Sequence, residues 1–572
     1  MRIPNSFVLS NDLSSFWFFT SSQYSKFCGV FFWENETMFK CIESIEVDSK
    51  IQNSFCTRRS LLNKREGVTE KLSLAKDFNG IKQELSKERE ITINLDIRKD
   101  NDFSENQRIY TIYEREIDED KKIIIVKFRK DRDKELYVAI YSDSKTFIKL
   151  ENFRKSIYDY DKFRNSLYER YIYEAIRIKT DKLSIGFSSS ETVAIDNAIQ
   201  AYDLDYNETF LEYENPIDKA KYEVELNMKK LISNRGISAG YPWFYQVWTR
   251  DEMISIIYLI KSKKYQKVKK FFEKFMDEEY IKGFPAILPN EGIPSADGSG
   301  WVFKRFSDFI DSLIEDKQLE NIYNRIELDK IINFLKKRAN FVKKNNMKNG
   351  LVYSGFNETW MDTSVDDDGR EGFCLEIQAL TAKMFSCVYM LTGISEYKKE
   401  ELNLKRKIKE NFFSQGSICD HINKFGEKCW EVRPNFFIAF YVYPQLFSKE
   451  IWEDIFDNNI PKIWLEWGGF SSIEKKSSSF IENYTGENNK SYHRGDSWFF
   501  INCMAATCMI KINKEKYLDK IEKIISSCIE EINSNGVIGG LAEISSAKKL
   551  TGYGCLTQAW SNALFLELLD TI

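Results

Sequence analysis

A tryptophan and an aspartate two residues apart, Trp360 and Asp362, form the most informative short pattern in the chain. They close the run NETWMD (357–362), which continues through an acidic, glycine-containing stretch. An indole ring is a good surface for the apolar face of a sugar. A carboxyl group tucked against such a ring is partly desolvated, which raises its pKa. The pattern therefore predicts an aromatic platform at Trp360 and a general acid at Asp362.

Five other segments have the same character, because each is a long loop rich in aromatic, Gly, Asp or Asn residues beside a predicted helix. Loops of this kind usually carry a site. In the first of them, Trp248 offers a ring face, and Arg250 next to Asp251 supplies donors and an acceptor for vicinal hydroxyls. Asp251 is equally explained as the N-cap of the following helix.

Three more loops supply single candidates. Asp297 precedes a Trp at a helix start, and Arg433 precedes Pro434, a residue suited to the first position of a helix. Arg433 could hold a loop carboxylate or form a purely structural ion pair. His493 lies in an aromatic loop, where a ligand hydroxyl is a natural partner.

Glu543 is the best candidate for a second catalytic carboxylate. It follows a Gly-Gly turn and precedes a helix that opens with a Gln and a Trp. It lies 181 positions after Asp362, so only the fold can bring the two together.

The elements that must position these side chains fall into two regions. From residue 1 to about 195, short runs near period two indicate an antiparallel β-sandwich. From residue 196 onward the pattern is helical, and twelve helices suit an (α/α)6 toroid of six helical hairpins, with a helical solenoid as the alternative. The predicted helices cover 216–233, 251–262, 264–277, 301–315, 327–345, 374–391, 396–414, 434–446, 449–456, 495–511, 514–533 and 556–570.

Composition excludes several functional classes. The 83 basic and 87 acidic residues give a formal charge of −4, so nucleic acid and anionic membrane surfaces are improbable partners. Aromatic residues make up 15% of the chain, which favours a ligand groove lined by some of them. No stretch approaches the ~20 apolar residues of a membrane span.

The cysteines and histidines bear on the cellular location and on metal binding. The 11 cysteines are scattered, with no Cys-x-x-Cys pair, which is typical of reduced, mostly buried thiols in a cytoplasmic protein. The short apolar run at residues 16–19 is too polar in its surroundings for a signal sequence. With only His421 and His493 in the chain, we expect no metal site, and no cofactor is implied.

An ordered series of blocks resembles the amylo-alpha-1,6-glucosidase domain of glycogen debranching enzymes, over about residues 235–570. The last block also resembles the C-terminal catalytic block of glucoamylases, relatives with the same helical toroid. The blocks are GYPWFYQVWTRDE (240–252), SADGSGW (295–301), ETWMD (358–362) with REGFCLEIQAL (370–380), EVRPNF (431–436), YHRGDSW (492–498), and GGLAEIS (539–545) with GYGCLTQAWSNA (552–563).

The resemblance implies inverting hydrolysis of an α-glucosidic bond in an α-glucan oligosaccharide or glycogen. Asp362 would be the general acid, with a raised pKa, and Glu543 the general base, which stays charged. Eight further residues would shape the sugar subsites: Trp248, Arg250, Asp251, Asp297, Trp360, Glu376, Arg433 and His493.

Three departures from the family pattern concern the subsites. Thr249 replaces the usual Gly before Arg-Asp, Ala542 replaces the usual Ser before the base, and Arg494 and Asp496 stand in a usual Gln-Gly-Thr-Val-Trp segment. We expect these two charges to lie close to the substrate. The large transferase domain of eukaryotic debranching enzymes has no counterpart in this sequence, so we expect the chain to trim single α-1,6-linked glucosyl stubs or to act as a broader exo-glucosidase.

Other interpretations stay open at this point. One is a glucoamylase-like or trehalase-like enzyme of the same fold, and another is a non-catalytic glycan-binding protein. A purely structural helical scaffold would leave the clustering of Trp, Asp and Arg in loops unexplained. A homo-oligomer is compatible with the sequence.

Overall fold

The computed structural model describes residues 4–118, 121–130, 133–144, 146–206, 213–365 and 368–572. These residues form two compact units. The first comprises the described residues of Met1–Arg235 with Tyr241–Tyr245 and Ser534–Gly539, and the second comprises Gly236–Gly240, the described residues of Gln246–Asn533, and Gly540–Ile572. The domain boundary expected between residues 195 and 196 stays a prediction.

Strands dominate the first unit. In its described part, thirteen strands join in one hydrogen-bonded sheet whose pairings are antiparallel. They are β1 Ser6–Ser10, β2 Phe16–Thr20, β3 Gly29–Glu34, β4 Thr37–Val47, β5 Ile51–Cys56, β6 Ser60–Arg65, β7 Val68–Leu74, β8 Gly80–Lys99, β9 Arg108–Asp118, β10 Lys121–Lys130, β11 Leu136–Tyr141, β12 Phe147–Ile157 and β13 Glu169–Ser188.

Two 20-residue strands, β8 and β13, make this sheet a sandwich. They pair with each other along most of their length, but on its other side each strand pairs with different neighbours in its two halves. Toward one end Ile93 of β8 pairs with Ile45 of β4, whereas near the other end Ile81 pairs with Leu74 of β7. The sheet therefore splits into two layers that share β8 and β13. Their inner faces bury one hydrophobic core that includes Ile81, Ile93 and many other apolar side chains.

Sixteen α-helices occur in the described residues. They are α1 Asp159–Phe163, α2 Glu191–Tyr202, α3 Pro216–Leu231, α4 Thr249–Ser255, α5 Ile257–Lys261, α6 Tyr265–Glu273, α7 Gly298–Glu315, α8 Leu319–Ile322, α9 Arg325–Asn345, α10 Leu375–Thr392, α11 Ser395–Phe412, α12 Asn435–Val442, α13 Lys449–Ile463, α14 Phe499–Asn513, α15 Leu518–Ser534 and α16 Ala559–Leu569. Helices α1 to α3 belong to the first unit, where α2 packs against β8, β11 and β13.

The second unit is built on a closed ring of six inner helices. Helix α4 contacts α7, and the series continues through α10, α12, α14 and α16, which returns to contact α4. Helices α6, α9, α11, α13 and α15 each follow one inner helix in the chain and precede the next. The prediction of a β-sandwich followed by a helical toroid is confirmed. Helix α3, the expected outer partner of α4, is grouped with the first unit.

Side-chain patterns explain which helices form the ring. Helices α14 and α16 are apolar around most of their circumference, and nearly all of their residues are buried. A helix of that kind is stable only inside a core. Helix α11, with the sequence SEYKKEELNLKRKIKENF, buries only five residues and presents a charged face to solvent.

Short strands join the loops between these helices. They are β14 Gly240–Tyr241, β15 Val247–Trp248, β16 Ile287–Leu288, β17 Met347–Lys348, β18 Leu351–Val352, β19 Gly372–Cys374, β20 Phe413–Ser414, β21 Ser417–Ile418, β22 His421–Asn423, β23 Lys428–Cys429, β24 Trp464–Leu465, β25 Gly469–Phe470, β26 Ser497–Trp498, β27 Ile544–Ser545, β28 Gly552–Tyr553 and β29 Thr557–Gln558. Strand β27 pairs with both β26 and β28, so the loops before α14 and α16 are fixed to each other.

The structure also differs from the predicted elements in places. The sandwich region ends in a helix, α2, rather than in strands that continue to residue 195. The segment predicted as one helix over 251–262 is divided at Ile256 into α4 and α5. Helix α13 extends beyond residue 456 and through Pro461, because Ile460 and Ile463 bury their side chains in the core.

A close approach of α7 and α10 leads to a stability prediction. A Cβ atom at Gly300 would lie 2.4 Å from Cβ of Leu380. We expect Gly300→Ala to lower the free energy of unfolding by about 1–3 kcal/mol, because overpacking outweighs the gain in helix propensity. Chemical denaturation measures this change. Gly283→Ala is the control, since no atom lies within 4 Å of its added Cβ. Equal stability of the two variants would contradict the tight packing at Gly300.

Candidate active site

The ten predicted site residues lie in the second unit, on the first turns of the inner helices or on the loops that lead into them. Trp248, Arg250 and Asp251 are at the start of α4, and Asp297 is at the start of α7. Trp360, Asp362 and Glu376 belong to the segment that leads into α10. Arg433 precedes α12, His493 precedes α14, and Glu543 lies on the loop before α16. The ring thus brings residues from six separated segments to one end of the unit.

Asp362 is held by two cationic or hydrogen-bonding side chains. Arg250 Nη1 lies 3.4 Å from its Oδ2, and His493 Nε2 lies 3.4 Å from its Oδ1. Arg250 is itself fixed by Asp297, whose Oδ2 accepts a hydrogen bond from Nε at 2.7 Å. The side chain of Asp362 remains 39% exposed, so a ligand can reach it. Residues 366–367 of the acidic stretch that follows lie outside the described residues.

Glu543 occupies a different environment, because its side chain is buried. The Tyr492 hydroxyl donates a short hydrogen bond to Oε1, and the backbone N–H of Cys555 donates one to Oε2 at 2.9 Å. Gly554 makes this approach possible: it has φ +66°, and a Cβ atom there would lie 2.3 Å from Oε2. Side chains other than glycine are strained in such a position.

Tyr492 and His493 connect the two carboxylates. These residues are adjacent in the chain, and their ring centroids are 4.8 Å apart. Tyr492 binds Glu543 while His493 contacts Asp362. Two carboxylates 181 positions apart in sequence are therefore joined through a single dipeptide.

Asp251 is a third carboxyl group in the same cluster. Its Oδ1 accepts a hydrogen bond from Nε2 of Gln558 at 2.8 Å, and the side chain is buried. Its charge and that of Asp362 both act on Glu543. The site thus holds three acidic groups close to one cation, Arg250, which already pairs with Asp297.

The protein groups around Asp362 and Glu543 reverse the expected order of their pKa values. Burial raises the pKa of Glu543 to about 8, and the charges of Asp251 and Asp362 add to the rise. Partial desolvation by the surrounding protein acts to raise the pKa of Asp362, but His493 and Arg250 outweigh it and leave that pKa below its ordinary value. The expectation of a raised pKa at Asp362 and a charged Glu543 is wrong for this arrangement, because the ring beside Asp362 is not its dominant neighbour.

Two further titratable groups near the pair are Asp251 and His493. Burial raises the pKa of Asp251 to about 7, even though Arg250 and Gln558 favour its charged form. Burial lowers the pKa of His493 to about 4, so its imidazole is neutral at neutral pH. A neutral imidazole facing an ionised Asp362 donates from Nε2.

Trp360 does not form the exposed platform that the sequence suggested. Its residue is only 2% exposed, and its ring packs edge-on against His493, Trp498 and Phe500, with centroids 5.3 Å apart in each case. Its Nε1 donates to Oδ1 of Asn435 at 2.7 Å. Trp360 therefore supports the segment that carries Asp362. Trp248 is the more exposed of the two rings.

Glu376 and Arg433 lie beneath the site. Both oxygens of Glu376 accept from Arg370, at 2.7 and 3.0 Å, and Arg370 also pairs with Asp420. Glu376 is 1% exposed, so in this conformation its carboxylate is not presented to a ligand. Arg433 Nη1 donates to the backbone carbonyl of His493 at 2.7 Å and so holds that loop.

The two additional charged residues in the His493 loop, Arg494 and Asp496, are also hydrogen-bonded to other groups of the protein. Arg494 Nε donates to Oδ2 of Asp368 at 2.6 Å. Asp496 is fully buried and accepts from the Ser491 hydroxyl, and burial raises its pKa to about 7. The expectation that Asp496 adds a charge close to the substrate is therefore wrong, because its carboxyl is enclosed.

Further residues of the site are not among the ten candidates from the sequence. Tyr492 and Gln558 are part of the quoted blocks, one residue before His493 and two residues before Trp560, so block membership is a usable signal. Asn435 belongs to the EVRPNF block. Asp420 lies outside every block, and its contact with Arg370 can be found only from the fold.

Within the described residues, no group of three or more His, Cys, Asp or Glu side chains is arranged to hold a metal ion. No helix in the described part of the chain has the length and apolar character needed to cross a membrane.

Comparisons with solved structures give only distant likenesses. An uncharacterized conserved protein from Thermus thermophilus is 12% identical, with a TM-score of 0.45, over 62% of this chain and 99% of its own. A glycosidase variant in complex with glucose is 9% identical, with a TM-score of 0.47, over 62% and 96%. A GH63 mannosylglycerate hydrolase from Thermus thermophilus in complex with glucose is 13% identical, with a TM-score of 0.44, over 63% and 100%. Likeness at this level carries no information on substrate.

Comparison of the sequence with curated proteins found no match. The sequence model of the amylo-alpha-1,6-glucosidase family, by contrast, matches residues 220–567, well over half of the chain. The matched range contains all ten site residues. The chain therefore belongs to the amylo-alpha-1,6-glucosidase family.

Proposed function

We propose that this glycoside hydrolase is an inverting exo-glucosidase that releases glucose from α-1,6-linked stubs of glycogen or a limit dextrin. The observation that carries the proposal is the junction of Asp362 and Glu543 through Tyr492 and His493. A pair of carboxyl groups flanking one bond is the usual equipment of glycoside hydrolysis. The choice of the α-1,6 linkage rests on family membership.

In the proposed reaction Asp362 is the general acid and Glu543 the general base. Asp362 gives its proton to the glycosidic oxygen, which takes the electron pair of the breaking bond to C1. Water attacks C1 from the opposite face, and Glu543 accepts a proton from that water. The product is glucose with an inverted anomeric centre. The exposure of Asp362 suits contact with a leaving oxygen, and the enclosed position of Glu543 suits a group that orients one water.

These roles require the proton to change carboxyls when substrate binds. Among the protein groups that surround the pair, the proton belongs to Glu543, because its pKa is about 8 while that of Asp362 is lowered. A bound sugar that excludes water around Asp362 and takes over hydrogen bonds from Arg250 or His493 would raise the pKa of Asp362. Proton transfer to Asp362 would then lower the negative charge that faces Glu543.

The roles can be separated with two substrates that differ in their need for an acid. A fluoride leaving group departs without protonation, whereas the oxygen of an oligosaccharide needs it. We expect Asp362→Asn to lose about 10²–10⁴-fold in kcat/KM on panose but to stay within about 10-fold of wild type on α-glucosyl fluoride. Glu543→Gln should lose activity on both substrates, since both need an activated water.

Matched controls for that experiment are Asp329→Asn and Glu522→Gln, which make the same chemical changes at exposed positions. Both should keep wild-type rates. The opposite pattern, with Glu543→Gln active on the fluoride and Asp362→Asn inactive, would reverse the two roles. Near-wild-type rates in both site variants would refute the proposed function.

Linkage and stereochemistry are tested by product analysis. We expect glucose from isomaltose, panose and limit dextrin, released first as the β-anomer, as polarimetry or NMR would show. Rapid hydrolysis of α-1,4-linked chains or of trehalose in preference to these substrates would favour a glucoamylase-like or trehalase-like enzyme instead. Binding of all these sugars with no glucose release would indicate the non-catalytic glycan-binding protein.

The pH dependence of kcat/KM should follow Glu543. The one-proton state of the pair exists between the lowered pKa of Asp362 and a pKa of about 8, so we expect activity to fall as the pH rises through about 8. The hydrogen bond from Tyr492 lowers the pKa of Glu543. Its removal in Tyr492→Phe should move the alkaline limb upward by about one to two pH units.

The control for this profile is Tyr389→Phe, at an exposed position on α10. Its alkaline limb should coincide with that of wild type. An unchanged or downward-shifted limb in Tyr492→Phe would show that Glu543 does not control the alkaline side.

A cytoplasmic location and a possible homo-oligomer stay predictions.

A further inference from the structure

A cavity of about 380 Å³ lies in the second unit. It is lined by α7, α9 and α10, by the loop from Lys282 to Ala296, and by the segment before Asp362 that includes Tyr353 and Glu358. Its volume is in the range of small-molecule sites. No carboxylate of the active-site cluster is among the described residues that line it.

The feature that distinguishes this cavity is a buried arginine with no acidic partner. Arg338 of α9 is 5% exposed and lines the cavity. Its Nε donates to the Ser299 hydroxyl at 3.0 Å, and its Nη1 donates to the backbone carbonyl of Ile281 at 2.9 Å. In the described part of the chain, no side chain or backbone group accepts a hydrogen bond from Nη2, and no carboxylate lies within ion-pair distance of the guanidinium.

Other buried arginines of the same unit are compensated. Arg305 pairs with Asp308, and Arg370 pairs with Glu376 and Asp420. A buried cation without such a partner is costly. Consistent with this, burial alone lowers the pKa of Arg338 to about 10, with no carboxylate acting against it. The cavity therefore carries an uncompensated positive charge in its wall.

Two further groups shape the requirements for a ligand. Lys282 lines the cavity from an exposed position and adds a second cation. Asn346 places a buried Oδ1 that receives no hydrogen bond from the described residues, which suits a ligand hydroxyl. The one acidic lining residue, Glu358, is engaged by the backbone N–H of Gly355 at 2.7 Å. The lining thus carries two cations and one carboxylate that is already hydrogen-bonded. Its net positive charge favours an anionic ligand.

We propose that this cavity binds a phosphate group, carried by a small sugar phosphate or present as free phosphate, with Arg338 as its principal ligand and Lys282 as a second. Phosphate matches the planar donors of a guanidinium and the point charge of an ammonium. A neutral glucan would fill the same space but would leave the charge of Arg338 uncompensated. The site is independent of the proposed hydrolysis, because it uses none of the catalytic carboxylates.

Calorimetric titration of the full chain at constant ionic strength tests the proposal. The probes are glucose 1-phosphate, inorganic phosphate and glucose, with chloride as the balancing anion. We expect binding of at least one phosphate probe that glucose does not reproduce, and a thermal stabilisation that increases with its concentration. Tighter binding of glucose 1-phosphate would identify a sugar phosphate as the source, and equal or tighter binding of inorganic phosphate would identify free phosphate.

Two variants assign that binding to the cavity. Arg338→Gln should raise the Kd of the phosphate probe at least about 10-fold, which corresponds to about 1.4 kcal/mol. Lys337→Gln also replaces a cation by Gln, at the neighbouring exposed position of α9, where Lys337 pairs with Glu278. It should leave the Kd unchanged. Lys282→Gln, at an exposed position that does not endanger folding, should weaken binding several-fold.

The proposal fails if neither phosphate probe binds, or if glucose binds as tightly as the phosphate probes. It also fails if Lys282→Gln binds as wild type does and Arg338→Gln, when folded, does the same. A loss of binding in Lys337→Gln equal to that in Arg338→Gln would locate the effect in general surface charge and would likewise overturn it.

Discussion

The closed contact series of the six inner helices is the constraint on which the site depends. Each inner helix contributes one to three side chains from its first turn or from the loop before it, and no two neighbouring segments of sequence supply the whole site. Closure requires that α16 return to α4, which brings Gln558 to Asp251 across 307 positions of sequence. Helices α14 and α16 are apolar on most sides, and the site residues His493 and Glu543 lie on the loops that precede them.

Burial then decides the electrostatic behaviour of the site. Three carboxyl groups and one paired arginine share a small volume, and they cannot all carry their full charge. Asp362, which is partly exposed and lies against Arg250 and His493, keeps its charge, and the more deeply enclosed Glu543 takes the proton. The order of the two pKa values is thus a property of their surroundings and not of the residue types.

Much of the architecture could be predicted from the sequence, because period-two and helical patterns are local. The twelve helices expected after residue 200 all have counterparts, and the short α8, with four residues, was too brief to leave a periodic signal. The positions of Asp362 and Glu543 in aromatic loops were also recognisable. The pKa order, the burial of Trp360 and the pairing of Arg370 with Asp420 were not, since each depends on contacts between residues far apart in sequence.

The direction of the inner helices has a consequence for the reaction. Because the site residues lie on the first turns of the inner helices or on the loops that lead into them, the partial positive N-terminal ends of these helices are on the side of the site. Such a field alone would oppose the positive charge that develops on a glucosyl ring as its bond to the leaving oxygen breaks. Asp251, Asp362 and Glu543 therefore do more than exchange protons in the proposed mechanism. The helix dipoles alone produce a potential that repels a cationic transition state. The summed charge of the three carboxyl groups reverses this potential, so that the site can stabilise that state.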